Sequence, residues 1–180
     1  MPHLEPLLAL LALDRLPRTG WVQRGVPEPE SIAGHVLGTA HLALALAPEV
    51  LPPLDLQRVL AMALVHDAPE ALTGDLPKAA SELLPAGAKQ AMESAAAERL
   101  LVPLGPAAAE AFREFQAQET REARFARLCD KLQLGVRLVG YRRSGQRGLE
   151  EFSVGLRTLD AAEFAPLAAF QQELLAELDG

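Results

Sequence analysis

The stretch DLQRVLAMALVHDAPEALTGDLP, residues 55–77, frames the reading of the whole chain. Its first half is an apolar run of helix-forming residues, and Asp55 stands where a side-chain oxygen can cap the first turn. The run closes on His66 and Asp67, and Glu70 and Asp75 follow, the latter inside a Gly-containing turn. An imidazole and several acids thus crowd together where a hydrophobic helix ends. That is an arrangement with a desolvation cost unless the charges have something to hold.

Outward from this segment, strand signals are almost absent. Ala, Leu, Glu, Gln and Arg dominate, and prolines and glycines cut the chain into helix-sized pieces. The pattern predicts helices over about 4–16, 30–46, 55–67, 86–102, 106–117, 119–141, 148–160 and 161–178. Glu30 and Ser31 suit the start of the second. Between the first two, PRTGWVQRGVPEPE (residues 17–30) reads as a proline-rich loop that exposes Trp21, Arg18 and Arg24. No repeat, low-complexity tail or linker breaks the chain. The expectation is an all-α fold with one domain over 1–180, its core motifs at 18–140 and C-terminal helices at 148–178.

Composition narrows the function classes. With 180 residues, 49% of them hydrophobic and 23% charged, the chain is globular and long enough for a sizeable core. A net charge of -7 and a pI near 5.1 argue against a nucleic-acid polymer or an anionic membrane as partner. Cys129 is the only cysteine, which rules out an intrachain disulfide and suits a reducing compartment. The N-terminal MPHLEPLLALLALDRL lacks a basic leader and carries Glu5 and Asp14, so it reads as a helix and not as a signal peptide. No apolar run approaches the roughly 18 residues of a membrane span. A cytoplasmic protein is expected.

His35, His66, Asp67 and Asp130 stand out as potential metal ligands, all on predicted helices. Asp130 lies in FARLCDKLQLGV, whose main apolar stripe is Phe125, Leu128, Leu132, Val136 and Val139, with Cys129 and Gln133 beside the acid on another face. A carboxylate in so apolar a helix needs a cation or strong hydrogen bonds. Arg127 or Arg137 could supply an ion pair instead. Asp75 after Gly74 could simply close a turn. His41 points to a different helix face from His35, and it and His3 read as structural.

Taken together, RTGWVQRGVPEPESIAGH (18–35), ALVHDAPEALTGDLP (63–77) and EARFARLCDKLQL (122–134) resemble the HD-domain phosphohydrolases. Within that superfamily they look like the 5'-deoxynucleotidase branch, the YfbR-like proteins and their eukaryotic relatives. The resemblance runs from about residue 7 to 140 and implies a single HD-domain helical bundle. It also implies a homodimer. A divalent ion would be held by His35, His66, Asp67 and Asp130, and the mixed N/O set suits Mn, Co, Mg or Fe. Glu70 would orient or deprotonate the attacking water, and Asp75 would hold the nucleotide or finish the proton transfer. In some relatives those two acids, with a backbone carbonyl at the position of Leu76, take a second ion.

Arg18 and Arg24 are the candidates for gripping phosphate. Trp21 would either pack on the sugar or base or anchor the loop. Two positions depart from the family pattern. Gly20 stands where the bacterial branch has an arginine, and Gly34 stands where relatives carry an acid before the histidine. The implied activity is hydrolysis of (deoxy)ribonucleoside 5'-monophosphates to nucleoside and phosphate, with a preference for the deoxy forms. The competing readings are another HD phosphohydrolase, acting on a nucleoside triphosphate, (p)ppGpp or a cyclic nucleotide, and a non-catalytic nucleotide-binding module.

Overall fold

A computed structural model describes residues 3–180; Met1 and Pro2 of the expected 1–180 domain lie outside the described residues. Among those described, eleven α-helices follow one another: α1 (Leu4–Leu10), α2 (Thr19–Gln23), α3 (Ile32–Leu46), α4 (Leu56–Val65), α5 (Glu70–Thr73), α6 (Lys78–Ser81), α7 (Ala88–Leu101), α8 (Pro106–Ala117), α9 (Arg121–Arg143), α10 (Glu150–Thr158) and α11 (Ala165–Asp179). The described residues contain no strand, only an isolated bridge between Pro17 and Ser31. The all-α expectation holds.

The N-terminal signals work as the sequence implies. Ser31 accepts from the Gly34 amide at 3.1 Å and Asp55 from Arg58 at 3.1 Å, each satisfying a donor that the first turn leaves open; Thr120, not singled out in the sequence, caps α9 in the same way, accepting from Ala123 at 3.2 Å. Three expectations need correction. The first helix stops at Leu10 and tightens into a 3-10 turn over Leu11–Asp14. The loop at 17–30 contains α2, which buries Trp21. Residues 78–81, outside the expected helices, form the single turn α6.

The 23-residue α9 is the axis of the molecule. It packs against α3, α4 and α8 on one side and against α10 and α11 on the other, while α3 and α4 also pack on each other. Phe125, Ala126, Cys129 and Leu132 are fully buried in this seam with Val59, Met62 and Ala43. The apolar stripe expected on α9 is incomplete: Val136 is exposed, whereas Asp130 and Gln133, on the supposedly secondary face, are buried. A second apolar cluster, from Ala97, Leu100, Leu101, Ala109 and Phe112, joins α7 to α8 and holds Ala68. Ala68 belongs to the turn that leaves α4, so this cluster fixes where the HD segment points. No helix among the described residues is long and apolar enough to cross a membrane.

Candidate metal centre and active site

The first turn of α3, the end of α4 and the middle of α9 converge on one point. His35, His66 and Asp130 are all buried, and one ligand atom from each lies within 4.8 Å of the others. His35 Nε2 is 3.0 Å from Asp130 Oδ1 and 3.3 Å from His66 Nε2. Asp67 Oδ2 joins them at 3.5 Å from His35 Nε2 and 3.3 Å from His66 Nε2. All four residues singled out in the sequence therefore meet.

The far side of each imidazole decides what this cluster wants. His66 Nδ1 lies 2.8 Å from the Ala63 carbonyl, which can only accept, so Nδ1 carries a proton. His35 Nδ1 lies 2.6 Å from Gln133 Oε1, and the Gln133 amide is oriented by donating from Nε2 to Glu30 Oε2 at 3.0 Å. With both Nδ1 atoms protonated, neutral rings present two Nε2 lone pairs to each other and to two carboxylates. Four acceptors then share one buried space, and only a proton or a cation can reconcile them. The donor set fits a divalent ion of the Mn, Co, Fe or Mg kind.

With no ion bound, a proton drawn to His66 is the charge that reconciles the cluster, and the shifts show the pull of that positive charge. Burial would raise the Asp67 carboxyl, but the imidazoles of His66 and His35 and the Arg18 guanidinium outweigh it and hold it well below the usual carboxylate range. Burial is likewise outweighed at Asp130, by Lys131 at 3.0 Å and by both imidazoles. His66 is drawn upward against its burial, chiefly by Asp67.

Glu70 behaves in the opposite way. Burial pushes its carboxyl up to about 9, and the negative charges of Asp67 and Asp75 add to the effect. Its Oε2 is buried with no hydrogen-bond partner in the protein, an oxygen held ready for something absent from the fold itself.

Asp75 does not close its own turn. Gly74, at φ 73°, swings the chain round so that Asp75 reaches α2. There Oδ2 accepts from the Thr19 amide at 2.5 Å, while the Thr19 hydroxyl donates to the Asp75 carbonyl at 2.8 Å. The other oxygen, Oδ1, lies 3.4 Å from Arg18 Nη1, which also lies 3.4 Å from Asp67 Oδ2. Arg18 thus bridges the metal cluster and the Asp75 loop. Its positive charge sits beside the set Glu70, Asp75 and Leu76 considered for a second ion, and both Asp75 oxygens are already engaged.

Two substrate candidates are placed elsewhere. Trp21 is 1% exposed, so the loop does not display it. Its indole N–H donates to Glu30 Oε1 at 3.1 Å, and its ring packs on Phe152 and Tyr141 at centroid distances of 4.1 and 5.2 Å. It is the core anchor of the loop, with no face left for a sugar or base, because burying a large aromatic ring and pairing its one donor is the favourable place for it. Arg24 pairs with Glu151 on the surface at 2.5 Å, away from the cluster. The partners weighed for Asp130 are also occupied: Arg137 pairs with Glu30, and Arg127 lies over the Phe115 ring.

Sequence reading missed Glu30, Gln133 and Lys131. Gln133 stands one turn after Asp130 on the same helix face, a signal that was available. Glu30 gave none beyond its position at the helix start.

The HD domain family matches residues 12–159 of the chain. The 5'-deoxynucleotidase hdd1 of Schizosaccharomyces pombe is 31% identical over 157 residues, covering 82% of this chain and 78% of that protein. The 5'-deoxynucleotidase HDDC2 of Bos taurus is 35% identical over 68% of this chain, and the match spans 59% of its length. The crystal structure of a Pyrococcus horikoshii OT3 protein superposes with a TM-score of 0.83 at 31% identity, over 96% of this chain and 98% of that one. The chain belongs to the HD-domain family of phosphohydrolases. Within it, the chain is an enzyme of the type whose curated relatives are named 5'-deoxynucleotidase.

Proposed function

We propose that the protein is a metal-dependent phosphomonoesterase that hydrolyses deoxyribonucleoside 5'-monophosphates to nucleoside and inorganic phosphate. The observation that carries this reading is the convergence of four acceptors from His35, His66, Asp67 and Asp130 beside a buried, unpartnered Glu70 oxygen. The names of the curated relatives supply the substrate class.

A divalent ion held by those four residues would act as a Lewis acid on the phosphoryl group and supply the nucleophile. Arg18 sets a guanidinium at the rim of the cluster, where it neutralises the charge of an incoming phosphate. Glu70, kept protonated at neutral pH by its burial and by the charges of Asp67 and Asp75, offers its unpartnered Oε2 to the attacking water, which it would orient and whose proton it would take once positive charge beside it lowers its pKa. Asp75, tied to Thr19, keeps Arg18 in place beside the cluster, where it would help hold the nucleotide. We assign the working form as a cytoplasmic homodimer, a reading that rests on the family resemblance and on the single buried cysteine. Light scattering on the purified protein tests the dimer.

The deciding experiment is phosphate release by EDTA-stripped protein from dAMP, dGMP, dCMP, dTMP, dUMP, AMP, dATP and a cyclic nucleotide, with and without Mn²⁺, Co²⁺ or Mg²⁺. Metal-dependent release from the deoxy monophosphates is expected. Turnover of dATP or the cyclic nucleotide alone would move the protein to another HD branch, and silence throughout would point to a binding module.

A further inference from the structure

Glu30 is a buried hub. Besides Trp21 and Gln133, its carboxylate accepts from Arg137 Nε at 2.9 Å, while its backbone amide donates to the Tyr141 hydroxyl at 2.7 Å and its carbonyl accepts from the Arg18 amide at 2.9 Å. Glu30 is 7% exposed and Gln133 4%. A buried charge with this many partners is expensive to assemble, and surface packing does not require it. What it accomplishes is to fix the Gln133 amide. An amide can turn either its oxygen or its nitrogen toward an imidazole, and the two choices have opposite consequences. Because Nε2 is committed to the Glu30 carboxylate, Oε1 faces His35 and accepts from Nδ1. Nε2 of His35 is thereby left without a proton, and the ring is held at the angle that points it into the cluster.

The packing around Gln133 supports the assignment. A Cβ added at Gly38 would stand 2.8 Å from Gln133 Nε2 and 3.0 Å from its Cγ. Real Cβ atoms do not approach that closely, so any larger residue at position 38 must push the amide aside. Glycine inside a helix costs about 1 kcal/mol relative to alanine, and here it leaves room for the amide where it bridges Glu30 and His35. Gly34, the residue before His35, has no side chain to support that ring, and the support comes from across the bundle, through Gln133 of α9.

We propose that Glu30 and Gln133 are positioning residues for metal binding: they set the tautomer and orientation of His35, and Glu30 couples that setting to the loop carrying Arg18. The role rests on the metal assignment above. It belongs to the class of outer hydrogen bonds whose loss weakens metal affinity by about ten- to a hundredfold.

The test measures Mn²⁺ affinity by calorimetry, together with the ring-nitrogen NMR signals of His35 in metal-free protein, for four chains. Gln133→Met is expected to bind Mn²⁺ ten- to a hundredfold more weakly and to show mixed His35 tautomers. Gly38→Ala, a helix-favouring change that displaces the amide, is expected to do the same with its helical circular dichroism intact, and it serves if Gln133→Met fails to fold. Glu30→Gln, whose amide cannot accept from Trp21, Gln133 and Arg137 together, is expected to loosen the Gln133 amide and to weaken Mn²⁺ binding in the same way. Unchanged affinity and a single Nδ1–H tautomer in both Gln133→Met and Gly38→Ala would overturn the positioning role and leave the metal site standing. A parent protein that takes up no Mn²⁺ at all would overturn the metal assignment and this role with it.

Discussion

His35 and His66 turn their Nε2 atoms toward each other across 3.3 Å, while a carbonyl oxygen occupies the far nitrogen of each ring. Two neutral imidazoles so arranged, with two carboxylates alongside, have no internal way to satisfy one another. Replacing His66 or Asp130 with Ala should therefore remove Mn²⁺ binding and phosphate release together, read by calorimetry and by a phosphate assay. Full activity in either variant would refute the metal assignment.

Glu70 is expected to separate binding from chemistry. Glu70→Gln should still bind Mn²⁺ but lose about two orders of magnitude or more in kcat, the loss typical of a positioned acid–base group. If the variant instead fails to hold the metal, Glu70 is a ligand.

Arg18 and Arg24 should differ sharply. A hydrogen bond to a charged group contributes about 1.5–3 kcal/mol, so Arg18→Ala should lower kcat/KM by about ten- to a hundredfold. Arg24→Ala, which removes only an exposed ion pair with Glu151, should change kcat/KM by less than about twofold. Steady-state kinetics on dAMP decides between them.

Trp21→Phe is a stability prediction. It leaves Glu30 Oε1 without the indole donor, at a cost of about 1–3 kcal/mol, and Tm falls by about 2–4 °C for each kcal/mol in a chain of this size. KM for nucleotide should stay within about threefold of the parent value, because the ring is buried and touches no substrate. A tenfold rise in KM without loss of Tm would restore Trp21 to the substrate pocket.

The metal-free protein should lose stability as pH rises from about 6 to 9. Glu70, raised to about 9, binds its proton in the folded state at pH values where the unfolded chain has released it, so the unfolded state binds fewer protons and the slope is negative. His66, also raised, adds stability below its unfolded pKa that is lost as pH climbs. Asp67 and Asp130, held low, lose their contribution only in acid. Tm measured across that range should fall, and Glu70→Gln should flatten part of the slope. A flat profile in the parent would show that Glu70 is ionised throughout.

Much of this site is legible in the amino-acid sequence. His35, His66, Asp67 and Asp130 can be named there as candidates because ligand chemistry restricts the residue types and a carboxylate in an apolar helix such as α9 is conspicuous, and the resemblance of three motifs to one family groups them into a set. The long helices can be drawn because Pro and Gly bound them and Ser31 and Asp55 cap two of them by local hydrogen bonds. The layer of residues behind the ligands is not legible. Nothing in the sequence says that Glu30 reaches Gln133, since they are 103 positions apart and a polar residue near a helix start usually faces water. Proximity along the chain suggests a place in the pocket for Trp21 and Arg24, whereas packing sends the first into the core and the second to the surface.

The sequence by itself determined the long helices and the candidate ligand residues, because capping, periodicity and donor chemistry are local properties. Only the tertiary structure decided which ring nitrogens are free, which arginine stands at the cluster and why Glu70 keeps its proton. Those depend on burial and on charges brought together from α2, α3, α4, α5 and α9, and Coulomb and desolvation energies follow distance in space, not position in the chain.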